Sequence, residues 1–510
     1  MTEQRGAAVG TWIGFAAMTL GMFMAVLDIQ IVVTSLPDIS EALAIPPDKM
    51  SWVQTAYLIA EVIAIPLTGL LTRVLSLRWL FVGALSLFTL ASTACAASGG
   101  FETLIVGRVV QGFAGGVLIP AVFSAVFLLF PFRQQGVATT LAGVMAVLAP
   151  TVGPLVGGWI TQTWSWHWLF LVNVLPGIAA AAVATRFLPR EAGEYSHVRT
   201  IDAAGLVLMA VALAALEIGL KDAPRHGWAS LRVLGLLLLA FIAGVAFVRR
   251  SLGRSQPIVD LSALADRNFA IGCGLSFALG VGLYGSVYLM PVFLAFAREH
   301  GPLEIGRIML VTGIAQLVTA PIAVALERRV DGRILMLGGF ALFAVGLGMS
   351  AFQTWETDFD GMLVPQILRG AAIMFCILPP TRLALGHFSP ERVADASGLF
   401  NLMRNLGGAI GLALIDTVIY GRAPILAEEI GQRLKRGDVS VSSLVGIPPE
   451  TVASAATRTI DAALIETVRP LVERAGLVSA INEAWAMLAA ITALALLVLP
   501  FVRTKRPLSS

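Results

Sequence analysis

Long apolar runs alternate with short polar segments from one end of the chain to the other. Each run approaches or exceeds the roughly 20 residues that an α-helix needs to cross a bilayer. The pattern therefore predicts an all-α polytopic membrane protein with about fourteen spans. We predict them near 12–36, 50–72, 79–98, 103–130, 135–163, 167–188, 203–221, 231–250, 268–296, 303–326, 334–352, 360–385, 393–420 and 481–502.

Basic residues are concentrated in alternate connections between these spans, which predicts the orientation of the chain, because cytoplasmic loops are enriched in lysine and arginine. The opposite connections are often acidic, and segment 221–232 is the exception. We therefore predict that both termini are cytoplasmic and that the polar stretch 421–480 lies outside, as a cap or docking surface or as a solvated loop. The arginines that carry this prediction include Arg73, Arg78, Arg133, Arg186, Arg190, Arg249, Arg250, Arg267, Arg328, Arg329, Arg333, Arg382 and Arg392.

The chain resembles itself at an offset of about 255 residues. Matching positions include Pro66 and Pro321, Arg73 and Arg328, and Gln111 and Gln366. A repeat of membrane segments is typical of transporters built from two bundles with a site between them near the bilayer midplane. We predict a six-helix bundle at 1–200, an inserted two-helix unit at 201–255 that lies outside the core, and a second six-helix bundle at 256–510 that includes the loop 421–480.

Composition agrees with a membrane protein and excludes several other classes. The 510 residues are 57% hydrophobic and 13% charged, whereas a soluble domain carries roughly 25% charged residues. The net charge of +3 gives no reason to expect a nucleic acid partner. Three cysteines lie far apart inside apolar runs, and five histidines are scattered, so we expect neither disulfides nor a metal site. No nucleotide-binding loop is present, and we predict that the protein is not an enzyme.

The fifth predicted span contains an unusual concentration of prolines and glycines. It holds Pro150, Gly153, Pro154, Gly157 and Gly158. Transmembrane helices tolerate such residues because neighbouring helices satisfy the freed backbone groups, and glycines four residues apart let a second helix approach closely. The spacing favours a bent, closely packed helix at a moving interface. A packing kink without a mechanistic role explains the spacing equally well.

Three charged residues inside the first spans are candidates for proton coupling. Asp28 lies in the middle of the first span, Glu61 deep in the second, and Arg108 in the fourth. Charged groups in hydrocarbon are costly and usually face a cavity or a partner. A buried carboxylate can gain and lose a proton as its surroundings change, and a nearby arginine can modulate that exchange. The alternative is a structural hydrogen-bonding role for each carboxylate.

Further polar residues in the spans are candidates for a substrate cavity. Arg404 and Asp416 are twelve residues apart on one predicted helix, too far to pair directly, so each needs another partner. Glu217 lies in the inserted unit, and we assign it no role. The predicted cavity residues are Gln30, Gln111, Gln366, Arg369, Asn401, Arg404 and Asp416.

These motifs resemble the fourteen-span drug:proton antiporter group of the major facilitator superfamily, and in particular its EmrB-type multidrug efflux permeases. The resemblance covers nearly the whole chain. It rests on Ala149-Pro150-x-x-Gly153-Pro154-x-x-Gly157-Gly158, on Arg108-x-x-Gln111-Gly112, and on Leu27-Asp28 with Leu36-Pro37-Asp38-Ile39. The loop after the second span departs from the family pattern Gly-x-Leu-x-Asp-Arg-x-Gly-Arg. Between Gly69 and Arg78 the acidic residue and the second glycine are absent, so the resemblance does not extend to the usual cytoplasmic charge latch.

The resemblance implies a function, which we state as an expectation. Two rocking bundles would export hydrophobic or amphipathic drugs across the bacterial cytoplasmic (inner) membrane by alternating access, driven by the proton gradient without a cofactor. A membrane-fusion adaptor and an outer-membrane channel would be the partners, besides membrane lipid and small hydrophobic substrates. The alternatives are a dedicated exporter of one metabolite, such as a fatty acid, siderophore or antibiotic, and a non-transporting scaffold or sensor. The buried Asp28, Glu61 and Arg108 argue against a scaffold.

Overall fold

In a computed structural model of the chain, residues 7–45, 47–190, 193, 202–254, 257–450 and 462–502 are described. The described residues form helices and connections and contain no β-strand. The helices are α1 (Val9–Thr34), α2 (Leu36–Ala42), α3 (Pro47–Met50), α4 (Trp52–Ala64), α5 (Thr68–Ala96), α6 (Phe101–Leu129), α7 (Phe132–Thr163), α8 (His167–Leu171), α9 (Val174–Phe187), α10 (Ala203–His226), α11 (Leu231–Leu252), α12 (Arg267–Phe296), α13 (Pro302–Glu327), α14 (Gly332–Met349), α15 (Phe359–Leu385), α16 (Pro390–Lys435), α17 (Ser442–Val445) and α18 (Ala462–Leu494).

Thirteen stretches of the described chain are long and apolar enough to cross a membrane. One of them, Trp52–Ala96, has 45 residues, which at 1.5 Å per residue is roughly twice the thickness of the hydrocarbon core. It is interrupted at Ser76, whose backbone is not helical (φ 67°, ψ 158°). This stretch therefore contains two crossings, predicted as 50–72 and 79–98, and the prediction of an all-α protein with about fourteen spans is confirmed.

Two large apolar clusters form the interior. One is built from residues of α1 to α9, among them Phe15, Phe81 and Phe123. The other is built mainly from α12 to α16 and α18, and it also includes Val144 and Val147 of α7. Helix α7 therefore packs into both clusters. The exact division at 1–200, 201–255 and 256–510 remains a prediction.

The inserted pair is more closely integrated than the sequence suggested. Helix α10 packs against both α4 and α16, whereas α11 packs chiefly on α10. Met209 and Leu213 of α10 are buried in one cluster with Val62 and Leu67, near the α4–α5 junction, and with Ile258. The apolar face of α10 thus contacts helices from both halves of the sequence, and the position of the pair outside the core remains a prediction.

The described part of the stretch 421–480 is largely helical. Helix α16 continues for 46 residues to Lys435, well beyond the predicted span 393–420, and α18 begins at Ala462, before the predicted 481–502. Ile430, Val441, Val445 and Ala475 form a small buried cluster between these extensions. A solvated loop is therefore the wrong description of the described part, because apolar side chains pair the two extensions. Residues 451–461 lie outside the described residues.

Candidate functional site

Asp28 lies at the centre of a buried polar cluster in the first half of the chain. Its carboxylate is fully buried and accepts hydrogen bonds from Arg108 Nη1 (2.5 Å), Gln111 Nε2 (2.9 Å) and Asn173 Nδ2 (2.8 Å). These donors come from α6 and from the residue that precedes α9. One carboxylate thus ties three segments together, as expected for a charge that is paired inside a membrane.

Arg108 is held in place by several groups besides Asp28. Its Nε donates to the carbonyl of Val53 (3.1 Å) and its Nη1 to Gln111 Oε1 (2.7 Å). The guanidinium carbon lies 4.4 Å from the centre of the Tyr57 ring, an attractive cation–π contact. Its Nη2 has no hydrogen-bond partner among the described residues. The guanidinium of Arg108 is therefore fixed in orientation, and its Nη2 is the donor without an acceptor in the described part of the chain.

Close packing of α6 against α4 explains the glycine in the α6 pattern Arg-x-x-Gln-Gly. A Cβ at Gly112 would clash with the Tyr57 carbonyl, and one at Gly115 would clash with the Tyr57 hydroxyl. The absence of side chains brings the backbones of α4 and α6 close together, as small residues do in membrane helices. This approach places Tyr57 over Arg108.

Asn173 and Tyr57 belong to the cluster but were not singled out from the sequence. Asn173 is buried next to the carboxylate, and the Tyr57 hydroxyl donates to the carbonyl of Ala25 (3.1 Å). A polar residue inside an apolar run was the available signal for Asn173. Nothing in the local sequence of Tyr57 indicates its contact with Arg108, because 51 positions separate the two residues.

Glu61, the second predicted proton-coupling residue, lies apart from this cluster. Its side chain is buried in α4, and it is not among the residues that donate hydrogen bonds to Asp28. Charges that act on it come from Glu217 of α10 and from Arg108. Tyr284 of α12 is also within its electrostatic reach. Glu61 therefore lies where the first half, the inserted pair and the second half meet.

The proline- and glycine-rich helix α7 contacts both halves. A Cβ at Gly153 would clash with the side chain of Gln30 on α1. On another face, a Cβ at Gly306 of α13 would lie 2.5 Å from Leu155 Cβ. The helix is continuous through Pro150 and Pro154. The packing is that of an interface helix, and its movement remains a prediction.

Gln366 and Arg369 form a second buried polar group, on α15. Gln366 Oε1 accepts from Thr312 Oγ1 (3.1 Å), while its Nε2 has no partner among the described residues. Arg369 Nη2 lies 3.6 Å from Met290 Sδ, and its guanidinium carbon lies 4.7 Å from the Trp485 ring. Its Nε and Nη1 are buried without a hydrogen-bond partner in the described part of the chain. This arginine has no acidic partner there.

The other predicted cavity residues are dispersed. Arg404 lies near the rings of Phe123 (5.2 Å) and Phe400 (5.5 Å), so it reaches across to α6. Asp416 accepts from the Tyr288 hydroxyl (2.7 Å), and Asn401 donates to the carbonyl of Ser397 (2.9 Å). Arg404 and Asp416 do not pair, as expected from their spacing. The structure does not bring all seven residues into one site: Gln111 belongs to the Asp28 cluster, Gln30 packs against α7, and Gln366 and Arg369 lie among second-half helices.

The segment from Gly69 to Arg78, which departs from the family pattern, makes an ion pair that the sequence did not predict. Arg73 pairs with Asp395 at the start of α16, and a Cβ at Gly69 would clash with the same aspartate. Ser76 occupies the left-handed position (φ 67°) at which the family pattern has its second glycine. The two halves are thus joined by a charge pair whose basic member comes from the first half. The partner was not evident because it lies 322 positions away.

Comparisons with known proteins agree with this architecture. The family model of the Major Facilitator Superfamily matches residues 18–412. The chain is similar to the human organic anion transporter MFSD10 (TM-score 0.59, 13% identity, 96% of this chain and 99% of that chain). It is also similar to the proton:xylose symporter XylE (TM-score 0.58, 13% identity, 97% and 96%). At these identities the two structures support the fold alone.

Curated relatives narrow the assignment. The colistin resistance protein EmrB of Acinetobacter baumannii is 39% identical over 433 residues, 85% of each chain. The multidrug export protein EmrB of Escherichia coli K12 is 32% identical over 410 residues, 80% of each chain. The fatty acid resistance protein FarB of Neisseria gonorrhoeae is 31% identical over 423 residues, 81% of each chain. The chain is thus a polytopic membrane transporter and not an enzyme, and it belongs to the EmrB-type drug efflux permeases of the major facilitator superfamily.

Proposed function

We propose that this transporter exports hydrophobic or amphipathic drugs in exchange for protons, by alternating access across the bacterial inner membrane. The observation that carries the proposal is the buried Asp28 carboxylate, held by Arg108, Gln111 and Asn173. It is a titratable group that joins α1, α6 and the start of α9, and a change in its charge changes every one of these contacts.

Protonation of Asp28 would act by changing the partners of Arg108. While Asp28 is ionised, its charge compensates Arg108 and holds α1 against α6. A proton on Asp28 removes that compensation and leaves Arg108 as an uncompensated buried cation, which is strongly unfavourable. The helices would then settle in an arrangement in which Arg108 finds other acceptors or water. Proton binding thereby favours one conformation over the other, which is the requirement for coupling.

Exchange requires that cargo and proton favour opposite conformations. Glu61 lies between the first half, α10 and α12, so it is the candidate for sensing cargo or a second proton in the space between the halves. Helix α7, which packs on α1 through Gly153 and faces α13 at Leu155, is the candidate sliding interface. A membrane-fusion adaptor and an outer-membrane channel would complete export in bacteria with two membranes.

The test is drug accumulation in an efflux-deficient host. Cells that express the wild type should accumulate less drug than cells without it, and a protonophore should abolish the difference. Asp28→Asn should abolish the difference while the protein remains in the membrane. The matched control is Asp360→Asn, an exposed acid in the first turn of α15, which should export normally. Export by Asp28→Asn at the wild-type level and with the same protonophore sensitivity would contradict the assignment.

A dedicated exporter of one metabolite is the second candidate, and the named cargoes of the relatives favour it as much as they favour multidrug export. One relative is named for colistin, another for fatty acids and a third for many drugs. A panel of chemically unrelated compounds separates the two. Lower accumulation of several classes identifies a multidrug exporter, and lower accumulation of a single class identifies a dedicated one.

A further inference from the structure

A cavity of about 1040 Å³ lies at one end of the boundary between the two halves. The first residues of α7 form one wall, and the ends of α13 and α15 and the start of α14 form the others. The backbone N–H of Ala7, the first described residue, donates to Gln134 in the same region (2.9 Å), so this end of the boundary is at the face on which α1 begins. The arginine distribution predicts that this face is cytoplasmic.

We call this cavity the arginine pocket, because four arginines line it against two acids. The arginines are Arg133, Arg328, Arg333 and Arg382, and the acids are Asp266 and Glu327. Both acids are already paired: Glu327 with Arg382 (3.0 Å) and Asp266 with His387 (3.2 Å). The other three arginines have no acidic partner among the described residues, so the pocket carries an excess of positive charge.

The pocket wall is built by specific contacts and is not a chance gap. Arg382 donates to the carbonyl of Phe132 (3.3 Å), and its guanidinium carbon lies 3.9 Å from the centre of the Phe132 ring. A Cβ at Gly136 would lie 2.8 Å from Glu327 Oε2, so the absence of a side chain there leaves room for the acid. Phe132 and Gly136 belong to α7, and Glu327 and Arg382 to the second half. The wall therefore crosses the boundary between the halves.

One arginine has an unused hydrogen-bond donor. Arg333 Nε is buried and has no hydrogen-bond partner among the described residues, although the backbone N–H of Arg333 is capped by Asp331 (2.9 Å). A buried donor without an acceptor is costly. An anion in the pocket would supply the missing acceptor together with the missing negative charge.

The remaining wall is apolar. Val324, Met336 and Pro379 line the same cavity as the arginines, and Met336 also belongs to the large apolar cluster of the second half. A small inorganic anion would use the arginines but leave this wall in contact with water. A molecule with an anionic head and an apolar body would satisfy both parts, and such molecules accumulate in the membrane leaflet next to the predicted cytoplasmic face.

We propose that the arginine pocket binds the anionic head group of a membrane amphiphile, a carboxylate or phosphate attached to an apolar chain. The inference rests on the proposed export function where it concerns cargo: an anionic amphiphile would collect here before it enters the transport path. The same chemistry is shared by a resident anionic phospholipid of the leaflet. Cargo would be exported from the pocket, whereas a resident lipid would stay bound there, so experiment can separate the two.

The test measures binding to purified full-length protein in nanodiscs of zwitterionic phosphatidylcholine, without a proton gradient. The probes are laurate, phosphatidylglycerol and, as an uncharged counterpart, dodecanol. Arg328→Gln/Arg333→Gln should weaken laurate or phosphatidylglycerol binding roughly tenfold, as expected for the loss of a hydrogen bond between charged groups. Dodecanol binding should not change. The matched control is Arg329→Gln, an exposed neighbour that does not line the pocket, which should bind all three probes like the wild type.

The possible outcomes distinguish exported cargo from a resident lipid. They also distinguish a failure of this proposal from a failure of the proposed export function. Loss of laurate binding together with a higher apparent KM for laurate efflux identifies cargo, whereas loss of phosphatidylglycerol binding alone identifies a resident lipid. Unchanged binding of both anionic probes in the double variant would overturn the proposal. Arg333→Lys keeps the charge and should retain binding, so it serves if the double variant does not fold. Because binding is measured without a proton gradient, a failure of proton-coupled export would leave this result intact and be recognised separately.

Discussion

Helices α6 and α15 each carry an arginine and a glutamine three residues apart and followed by a glycine, but the two polar residues stand in opposite order. Helix α6 reads Arg108-x-x-Gln111-Gly112, and α15 reads Gln366-x-x-Arg369-Gly370. In both, the glycine allows a close approach, to the Tyr57 carbonyl in one half and to the Thr312 carbonyl in the other. The backbone packing is therefore repeated while the polar chemistry is not.

The difference lies in the counter-charge. Arg108 is paired with Asp28, whereas Arg369 has a thioether, Met290 Sδ, and the Trp485 ring as its neighbours. Arginine does not lose its proton in proteins, so Arg369 presents a fixed charge. A carboxylate can change its charge, so the Asp28 cluster can respond to protons. The proposed proton exchange therefore lies at Asp28 in the first half, whereas Arg369 in the second half keeps a constant charge.

The largest effect is expected from Asp28→Asn, which leaves Arg108, like Arg369, without an acidic partner in the described part of the chain. The substitution leaves Arg108 without a counter-charge, and breaking a buried pair costs about 3 kcal/mol of unfolding free energy or more. We expect proton-driven export to be lost and the Tm of the purified protein to fall. Thermal unfolding in detergent and the accumulation assay measure both. A variant with wild-type Tm would show that Asp28 does not compensate Arg108.

A smaller effect, of opposite sign, is expected from Arg369→Met. The substitution removes a buried charge that has no acidic partner, and replacing buried charged groups with apolar ones often stabilises a protein, here by about 2 kcal/mol. The matched variant is Arg108→Met, which should destabilise because it leaves Asp28 without its cation. Comparison of the two Tm values tests the asymmetry. A Tm that falls equally in both variants would contradict it.

A third experiment places an acid next to Arg369, which has no acidic partner among the described residues. Met290 Sδ lies 3.6 Å from Arg369 Nη2, so Met290→Glu should bring a carboxylate within reach of the guanidinium. A double-mutant cycle of Met290→Glu with Arg369→Met should give a coupling energy of about 1–3 kcal/mol, as for residues in direct contact. Chemical denaturation of the four proteins measures it. A coupling energy near zero would show that the arginine points elsewhere.

The smallest effect concerns an ion pair outside the membrane spans, a partly exposed counterpart of the buried one. Partial burial opposes ionisation of Asp358, but hydrogen bonds from Arg298 (2.8 Å) and His300 (3.1 Å) outweigh it and lower the pKa of Asp358 to about 2. A lowered pKa stabilises the fold above the ordinary aspartate range, and this contribution is lost as the pH falls through about 2.

Asp358→Asn should therefore cost less than about 1 kcal/mol at neutral pH, because exposed ion pairs contribute little. The Tm difference from the wild type should shrink as the pH falls from 6 towards 2. Thermal unfolding at a series of pH values measures it. A difference that grows on acidification would contradict the assignment of the pKa shift.

The sequence predicted the spans because apolar runs are local signals, and it singled out Asp28 and Arg108 because isolated charges within such runs are local signals too. Asp28, Arg108 and Gln111 are brought together as one cluster. Asp395 was missed because its partner Arg73 is remote in sequence. The reach of α16 to Lys435 was missed because a helix that leaves the membrane becomes polar and then resembles a loop. The contacts of α10 with both halves depend on packing, which hydropathy alone does not encode.

Substrate-induced proton release tests the central claim most directly. Purified wild-type protein in weakly buffered detergent, given a compound that the accumulation assay identifies as exported, should release protons on binding. Asp28→Asn should bind the compound but release none, since it lacks the group that exchanges the proton. Equal proton release by the two proteins would show that Asp28 is not the exchanging group.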